Sequence, residues 1–219
     1  MQLQPLTEQV YTWDEFSLSN LQNHSYWVFD VEATGIDSAT EYVIQIGGVE
    51  VIAGKINRSS AFSGYVRSPK PIPEKIQALT GITQQDIEAA PPFTVVLPQF
   101  LAKCSRHALV TQCGYEFDYP ILQAECKRSG LEFPESPRLD TKAVFAFLHP
   151  ELDDIFSTDF LLRYYGIDAS GFKRHDALGD ALIIGLIWCA ELKEAKERGI
   201  DAISVTAPIA IRRFVLPPL

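Results

Sequence analysis

The sequence lacks a long apolar run, a leader-like N-terminus and an excess of positive charge. Its longest apolar stretch, residues 181–190, is too short for a helix that crosses a bilayer, which needs about 20 residues. The first residues do not show the basic and then apolar pattern of a signal peptide. We therefore expect a soluble, cytoplasmic protein without a membrane partner.

Basic residues and cysteines are scarce. The chain has 19 basic against 28 acidic residues, a formal net charge of −9, which argues against a broad basic surface that coats long nucleic acids. This charge still allows a nucleic acid that is held at one point by metal ions. The four cysteines, at positions 104, 113, 126 and 189, have no C-x-x-C spacing. We therefore expect reduced thiols and no zinc site.

The chain has 219 residues, of which 47% are hydrophobic, and this is enough to bury the core of one ordinary domain. We predict an N-terminal arm over residues 1–23, which packs on the sheet edge and contains a short helix near residues 13–21. The domain itself covers residues 24–198. A C-terminal tail, residues 199–219, either packs on this domain or serves as a docking peptide for another protein.

Apolar runs and turn residues predict five strands. Three consecutive strands, near residues 26–32, 42–52 and 61–66, are expected to be antiparallel, with a hairpin turn at Gly54-Lys55. Strands near residues 108–112 and 138–141 alternate with helices and are therefore expected to be parallel. Helices are predicted over residues 74–79, from the Thr83 cap onward, over 93–105 with a kink at Pro98, and over 116–128, 142–148, 157–165 and 176–198.

Asp30 and Glu32 end the first of these strands. Because side chains alternate along a strand, residues two apart point to the same side, roughly 6 to 7 Å from each other. Two like charges at the rim of an apolar core need a counter-charge, and a hard divalent cation such as Mg²⁺ prefers carboxylate and phosphate oxygens. Taken alone, the pair is more simply explained as two solvated acids, so a metal site requires further ligands.

Asp118, His175 and Asp180 are the candidates for those ligands. Asp118 begins a helix after the fourth strand, at the edge where α/β folds build their sites, although an acid there also simply complements the helix dipole. His175 and Asp180 would lie about 140° apart on a regular helix. They converge only if His175 stays in the preceding loop while Asp180 points from the first turn toward the sheet. A carboxylate buried in that way requires a cation or a proton.

Together these residues resemble the three motifs of the DEDDh (DnaQ-like) 3′–5′ exonucleases, a family that includes proofreading subunits and RNA exonucleases. The motifs are Asp30-x-Glu32, Phe117-Asp118 and His175-x4-Asp180, and the similarity covers about residues 24–198. Asp176 stands where the tyrosine subclass has its tyrosine. Cys113-Gly114 replaces the His-Asn with which the second motif opens in many members. The loss of that amide is expected to bear on the orientation of the acids or on substrate preference.

The resemblance implies a ribonuclease H-like α/β fold, whose five-stranded mixed sheet has three antiparallel and then two parallel strands, flanked by helices. It also implies phosphodiester hydrolysis with two divalent cations, Mg²⁺ or Mn²⁺, about 3.5 to 4 Å apart. Asp30, Glu32 and Asp180 would hold the first ion and Asp30 would bridge to the second, while Asp118 would act mainly through water. His175 would be the general base.

The same resemblance implies a pocket for the 3′ end of DNA or RNA and release of nucleoside 5′-monophosphates. The backbone amides of Ala33 and Thr34 are expected to contact the terminal nucleotide, and Ile36 and Leu79 its base. Two alternatives stay open: a proofreading subunit whose tail contacts a DNA polymerase, and a non-catalytic nucleic-acid-binding module of the same fold. The choice between DNA and RNA, the choice between single strand and duplex, and the oligomeric state stay open as well.

Overall fold

The structure, a computed structural model, describes residues 4–7 and 9–214 of the chain. The strands in these ranges are β1 Gln4–Thr7, β2 Val10–Trp13, β3 Phe16–Ser19, β4 Ser25–Ala33, β5 Val43–Ile52, β6 Lys55–Tyr65, β7 Ala108–Thr111, β8 Arg138–Asp140, β9 Ala202–Val205 and β10 Ile209–Arg212. The helices are α1 Glu74–Thr80, α2 Gln84–Glu88, α3 Phe93–Cys104, α4 Asp118–Ser129, α5 Thr141–Leu148, α6 Thr158–Tyr165 and α7 Ala177–Glu197, and a 3-10 helix spans Leu21–Asn23.

Five strands form the central sheet, in the order β6-β5-β4-β7-β8. β4 pairs antiparallel with β5, and β5 pairs antiparallel with β6. β7 and β8 extend the other side of β4 in parallel. Helical crossovers make this possible, because parallel neighbours cannot be joined by a tight turn. The predicted mixed sheet, with three antiparallel and two parallel strands, is confirmed.

β4 lies at the centre of the sheet, and its side chains alternate between two helical layers. Tyr26 packs edge to face against Trp188 of α7, with ring centroids 4.8 Å apart. Trp27 and Phe29 point to the opposite side, where both contact Phe100 of α3. All these side chains are buried. Because residues alternate along the strand, the two acids at its end face the same side as Tyr26, toward α7.

α7 covers one face of the sheet and is the longest helix of the described chain, with 21 residues. It contacts β4, β5 and β6. Asp176 caps its first turn by accepting a hydrogen bond from the Gly179 amide at 3.0 Å. Neither α7 nor any other helix in residues 4–7 and 9–214 has the length and apolar character needed to cross a membrane.

The short helix predicted near residues 13–21 is wrong. That segment contains β3, where Phe16 and Leu18 are buried and the two intervening serines are exposed, which is the period of two of a strand. β3 pairs antiparallel with β9, and β2 pairs antiparallel with β10. Two small sheets therefore join the first residues of the chain to residues 202–212. Parts of the predicted arm and tail, residues 1–3, 8 and 215–219, lie outside the described residues.

The other predicted elements agree with the structure to within a few residues, apart from the hairpin. Its second strand, β6, begins at Lys55 rather than near residue 61. The turn consists of Ala53 and Gly54, with φ angles of 49° and 68°, as a two-residue turn between twisted strands requires. α3 continues through Pro98, and α4 begins at Asp118, two residues later than predicted.

Candidate active site

A cleft of about 280 Å³ opens at the carboxyl end of β4. It is lined by all five predicted motif residues, Asp30, Glu32, Asp118, His175 and Asp180. They reach the cleft from the end of β4, from the first turn of α4, and from the loop and first turn of α7. The carboxyl ends of parallel strands are where α/β folds place their sites. The sheet therefore brings together acids that are far apart in the sequence.

His175 lies in the loop before α7, and Asp180 lies in the first turn of that helix. His175 has a φ angle of 55°, a left-handed conformation that is uncommon outside glycine. In this conformation its amide donates to Oδ2 of Asp180 at 2.5 Å. Ligand atoms of Glu32, His175 and Asp180 all lie within 4.8 Å of one another. A loop histidine and a helical aspartate thus converge on the end of β4.

Two contacts fix the start of α7 against β5. A β-carbon at Gly47 would collide with the backbone of Ala177, so this close approach requires glycine. The buried Gln45 side chain donates to Oδ1 of Asp176 at 3.1 Å and accepts from the Ala177 amide at 3.0 Å. These contacts hold the helix end over the sheet, and with it the loop histidine and the first-turn aspartate.

Asp118 is fully buried, and both of its oxygens accept hydrogen bonds. The Val31 amide donates to Oδ1 and the Thr111 hydroxyl donates to Oδ2, both at 3.1 Å. Each carboxylate oxygen retains a second lone pair for water or a cation. Thr111 is not among the predicted site residues. Its place at the end of the strand before the second motif is the signal that indicates it.

The clustered acids hold protons more tightly than isolated acids do. Burial, followed by the neighbouring Asp118 and Glu32, raises the pKa of Asp30 well above its ordinary value. Burial and the nearby Asp180 raise the pKa of Glu32 to about 8. Burial raises the pKa of Asp118 to about 7, although the two hydrogen bonds that it accepts oppose the rise. A cation bound here would displace these protons, so metal binding should weaken at acid pH.

The loop before α7 also brings basic residues to the acids. Arg174 donates from Nε to Oδ1 of Asp180 at 2.9 Å, and from Nη1 to Oδ1 of Asp159 at 2.9 Å. Burial raises the pKa of Asp180, and the charge of Arg174 opposes this rise. Lys173 opposes the corresponding rise at Glu32. Neither basic residue was predicted to belong to the site, although both stand directly before the motif histidine in the sequence.

The donor atoms in the cleft suit a hard divalent cation. Four carboxylates and one imidazole line it, and carboxylate oxygens are preferred ligands of Mg²⁺ and Mn²⁺. The raised pKa values of Asp30 and Glu32 have neighbouring like charges among their causes, and a cation would relieve this repulsion. The residues therefore fit a divalent metal ion, which Asp30, Glu32 and Asp180 would hold with Asp118 beside them.

Three of the four predicted substrate contacts line the cleft: Ala33, Ile36 and Leu79. Ile36 and Leu79 are each 50% exposed, so their apolar surface is available to a ligand. Thr34 is instead buried, and its amide donates to the carbonyl of Tyr42 at 2.9 Å. This amide closes the loop between β4 and β5, and the predicted contact of Thr34 with a nucleotide stays a prediction.

The loop that carries Cys113-Gly114 has its own supports. The amides of Cys113 and Tyr115 donate to the buried carboxylate of Asp140 at 3.1 and 3.3 Å. A β-carbon at Gly114 would collide with the side chain of Thr111. An asparagine at this position does not fit the loop as it stands. The Thr111 hydroxyl and the Val31 amide supply the hydrogen bonds that orient the acid of the second motif.

A family model of the RNase T type of exonuclease matches residues 27–187. The chain belongs to this exonuclease family. The match includes every motif residue of the cleft. The predicted DEDDh resemblance and the predicted class of enzyme, an exonuclease, are confirmed.

The chain is also similar to a DNA polymerase in sequence and to two nucleases in fold. The DNA polymerase III PolC-type of Bacillus cereus is 29% identical over 181 residues, which are 83% of this chain and 12% of that relative's length. Cell-death related nuclease 4 has a TM-score of 0.69 and 21% identity, with 84% of this chain and 67% of that chain covered. The nuclease domain of 3′hExo, a DEDDh family member bound to rAMP, has a TM-score of 0.69 and 18% identity, with 82% and 94% covered. The predicted ribonuclease H-like fold is confirmed.

Proposed function

We propose that the chain is a metal-dependent 3′–5′ exonuclease that releases nucleoside 5′-monophosphates from DNA or RNA. The observation that carries the proposal is the approach of Glu32, His175 and Asp180, whose ligand atoms lie within 4.8 Å of one another. The same cleft contains Asp30 and Asp118. An imidazole beside clustered carboxylates suits hydrolysis in which the carboxylates hold metal and the imidazole moves a proton.

The motif residues have distinct roles in this proposal. Two divalent cations, Mg²⁺ or Mn²⁺, would neutralise charge on the phosphate and activate water. Asp30, Glu32 and Asp180 would hold the first cation, and Asp30 would also hold the second. Asp118, whose oxygens already accept two hydrogen bonds, acts mainly through an intervening water. His175 accepts the proton of the attacking water.

Metal removal tests the proposal. Hydrolysis of an oligonucleotide with a labelled 5′ end should stop in EDTA and return with excess Mg²⁺ or Mn²⁺. Asp30→Ala and Asp180→Ala should abolish hydrolysis and leave the metal-free fold intact or more stable, because each removes an acid from the cluster whose like charges raise the pKa values of Asp30 and Glu32. Asp168→Ala, at an exposed acid outside the cleft, is the matched control. Hydrolysis in the chelator would exclude the metal mechanism.

His175→Ala tests the proposed base. This variant should still bind Mn²⁺ and substrate but lose about 10²- to 10⁴-fold in rate. The wild-type rate should fall at acid pH, because protons then compete with the metal for Asp30 and Glu32, whose pKa values are raised. His24→Ala, at a histidine that bonds to the Ser19 carbonyl and does not line the cleft, is the control. A His175→Ala variant that hydrolyses at the wild-type rate would assign the proton transfer to another group.

The resemblance to 3′–5′ exonucleases also predicts a direction of attack. Ala33, Ile36 and Leu79 line a pocket that would enclose a terminal nucleotide, so removal should begin at a free 3′ hydroxyl. A 3′-phosphate or a closed circle should resist. Rates on matched DNA and RNA, as single strands and duplexes, would identify the substrate. Equal cleavage of circular and linear single strands would instead indicate an endonuclease.

A second candidate is a proofreading exonuclease that acts with a DNA polymerase in the cytoplasm. The similarity to a DNA polymerase III of PolC type favours it. Two results would support it. A mismatched 3′ end would be removed faster than a matched one, and the full chain would capture a polymerase that a chain without residues 215–219 does not capture. Tight binding of 3′ ends in Mg²⁺ without hydrolysis would instead support the non-catalytic module. The cytoplasmic location stays a prediction.

A further inference from the structure

Phe214 lines the same cleft as the motif residues, although it follows β10 and lies outside every motif. Its side chain is 45% exposed. A large aromatic ring at the rim of a cleft with an acidic floor does not bind metal and is not needed to fill the core. Its exposed surface is therefore available to a ligand in the cleft.

A chain of polar contacts fixes the position of Phe214. Its amide donates to Oε2 of Glu116 at 2.9 Å, and Oε1 of Glu116 lies 2.5 Å from Nζ of Lys142. Lys142 is fully buried, so this ion pair is desolvated and breaking it would be costly. One residue earlier, the Arg213 amide donates to the carbonyl of Gln9 at 2.7 Å. The backbone that carries the ring is thus tied to the core.

The anchor also couples Phe214 to the second motif. Glu116 lies two residues before Asp118, in the turn that leads into α4. Phe117, between them, lines the cleft as well. Phe214 and Phe117 are therefore held by the same short loop, whereas Ile36 and Leu79 come from the loop after β4 and from α1. Apolar side chains thus reach the cleft from several parts of the chain.

These apolar side chains suit the base of a nucleotide, which the acidic residues do not bind. Cations held by the carboxylates would take the phosphate, while the flat face of a base remains to be covered. Proteins that hold single strands without sequence preference stack bases on aromatic side chains. The negative charge of the protein makes this apolar contribution more important, because few basic residues are available to track the backbone.

We propose that Phe214 stacks against a base near the 3′ end of the substrate and so positions the strand for hydrolysis. The inference rests on the proposed exonuclease function. Phe214 is then a substrate-positioning residue, and the Lys142–Glu116 ion pair is the support that holds it in place.

The test combines protein variants with modified substrates. Phe214→Ala and Phe214→Trp are compared with the wild type on single-stranded oligonucleotides that are intact or abasic at each of the last three positions. Phe214→Ala should raise KM by about 5- to 150-fold on the intact strand and leave kcat nearly unchanged, while Phe214→Trp should retain a low KM. With the base at the stacking position removed, wild type and Phe214→Ala should have equal KM values.

A binding measurement separates this inference from the proposed function. Oligonucleotides with 2-aminopurine at each of the three positions should change fluorescence with the wild type and Phe214→Trp, and less with Phe214→Ala. Tyr164→Ala removes an aromatic side chain of similar exposure, 46%, outside the cleft and should behave as the wild type. A fluorescence change without hydrolysis would overturn the exonuclease proposal alone. Stacking would be overturned if the wild type and Phe214→Ala hydrolyse every strand with equal KM. It would also be overturned if Phe214→Ala hydrolyses faster.

Discussion

At the scale of single residues, the orientation of Asp118 depends on Thr111. Its hydroxyl donates to Oδ2 of that buried acid at 3.1 Å. Thr111→Val keeps the shape of the side chain and removes the donor, so the metal-dependent rate and the Mn²⁺ affinity should fall by about 10- to 100-fold, as is usual when a group that orients metal ligands is lost. Initial rates against Mn²⁺ concentration and titration calorimetry measure the two effects.

Thr111→Ser is the matched control, because it keeps the hydroxyl and loses a methyl group. It should retain most of the rate, although the small cavity lowers stability somewhat. If both variants lose the same rate when compared at equal folded fraction in urea titrations, packing rather than the hydrogen bond would be the function of Thr111.

Arg174 places a positive charge beside Asp180, a proposed metal ligand. It bonds to Asp180 at 2.9 Å and is 39% exposed, so solvent screens much of its effect. Arg174→Gln should therefore tighten Mn²⁺ binding modestly, by about two- to fivefold, because a competing cation is removed. Titration calorimetry at one fixed pH measures this change.

Arg212→Gln removes a comparable ion pair, with Asp153 at 2.6 Å, away from the cleft, and should leave Mn²⁺ affinity unchanged. Weaker Mn²⁺ binding by Arg174→Gln would show the opposite role. Arg174 would then hold Asp180 in the geometry that the metal needs, rather than compete with the metal.

At the scale of elements, the approach of α7 to β5 determines whether the site forms. Gly47→Ala places a β-carbon against the backbone of Ala177, so the helix end must move away from the sheet. We expect a loss of about 1 to 3 kcal/mol in the free energy of unfolding. Hydrolysis should fall even under conditions where the variant is fully folded, because the moved helix end carries two motif residues.

Gly171→Ala is the control for this prediction, since a β-carbon there meets nothing within 4 Å. Its stability in urea and its rate should match those of the wild type. A Gly47→Ala variant with normal rate and stability would show that α7 accommodates the extra carbon by a small shift that leaves the motif residues in place.

Some strands and helices could be predicted from the sequence, and others could not. β4 and β5 have long apolar runs and α7 has its own cap and stop residues, so local pattern was sufficient. β2 and β3 have four residues each and pair with β10 and β9, near the other end of the chain, so no local signal indicated them. The motif acids were predictable because they stand in short, recognisable patterns. Thr111 could have been found from its place at the end of the strand before the second motif. Phe214 enters the site through a contact with Glu116, far away in the sequence, and such a contact leaves no local pattern.

At the scale of the whole molecule, Glu191 should make stability depend on pH. It is fully buried in α7, and neither of its oxygens has a hydrogen-bond partner among the described residues. Burial raises its pKa well above the ordinary 4.5. Below pH 4.5 both the folded and the unfolded state are protonated. As the pH rises from there to the folded pKa, only the unfolded state ionises, so wild-type stability falls.

Glu191→Gln removes this titration. At neutral pH the variant should be more stable than the wild type by about 1 to 3 kcal/mol, and the difference should vanish below pH 4.5. Urea unfolding across this pH range measures it. Asp30 and Glu32 contribute a slope of the same sign to both proteins, so the difference between the two curves isolates Glu191. Parallel curves would mean that Glu191 is ionised in the folded state.

The pairing of β2 with β10 would allow this fold to be inserted into another protein. The pairing of Val10 with Arg212 and the hydrogen bond between Gln9 and Arg213 place the two flanks of the fold side by side. The fold could therefore be inserted into a loop of another protein, because the two ends of that loop would not have to move apart. By the same geometry, a circular permutant that is joined across these flanks by a short linker and opened at the Ala53-Gly54 turn would keep its central sheet and the cleft at the end of β4.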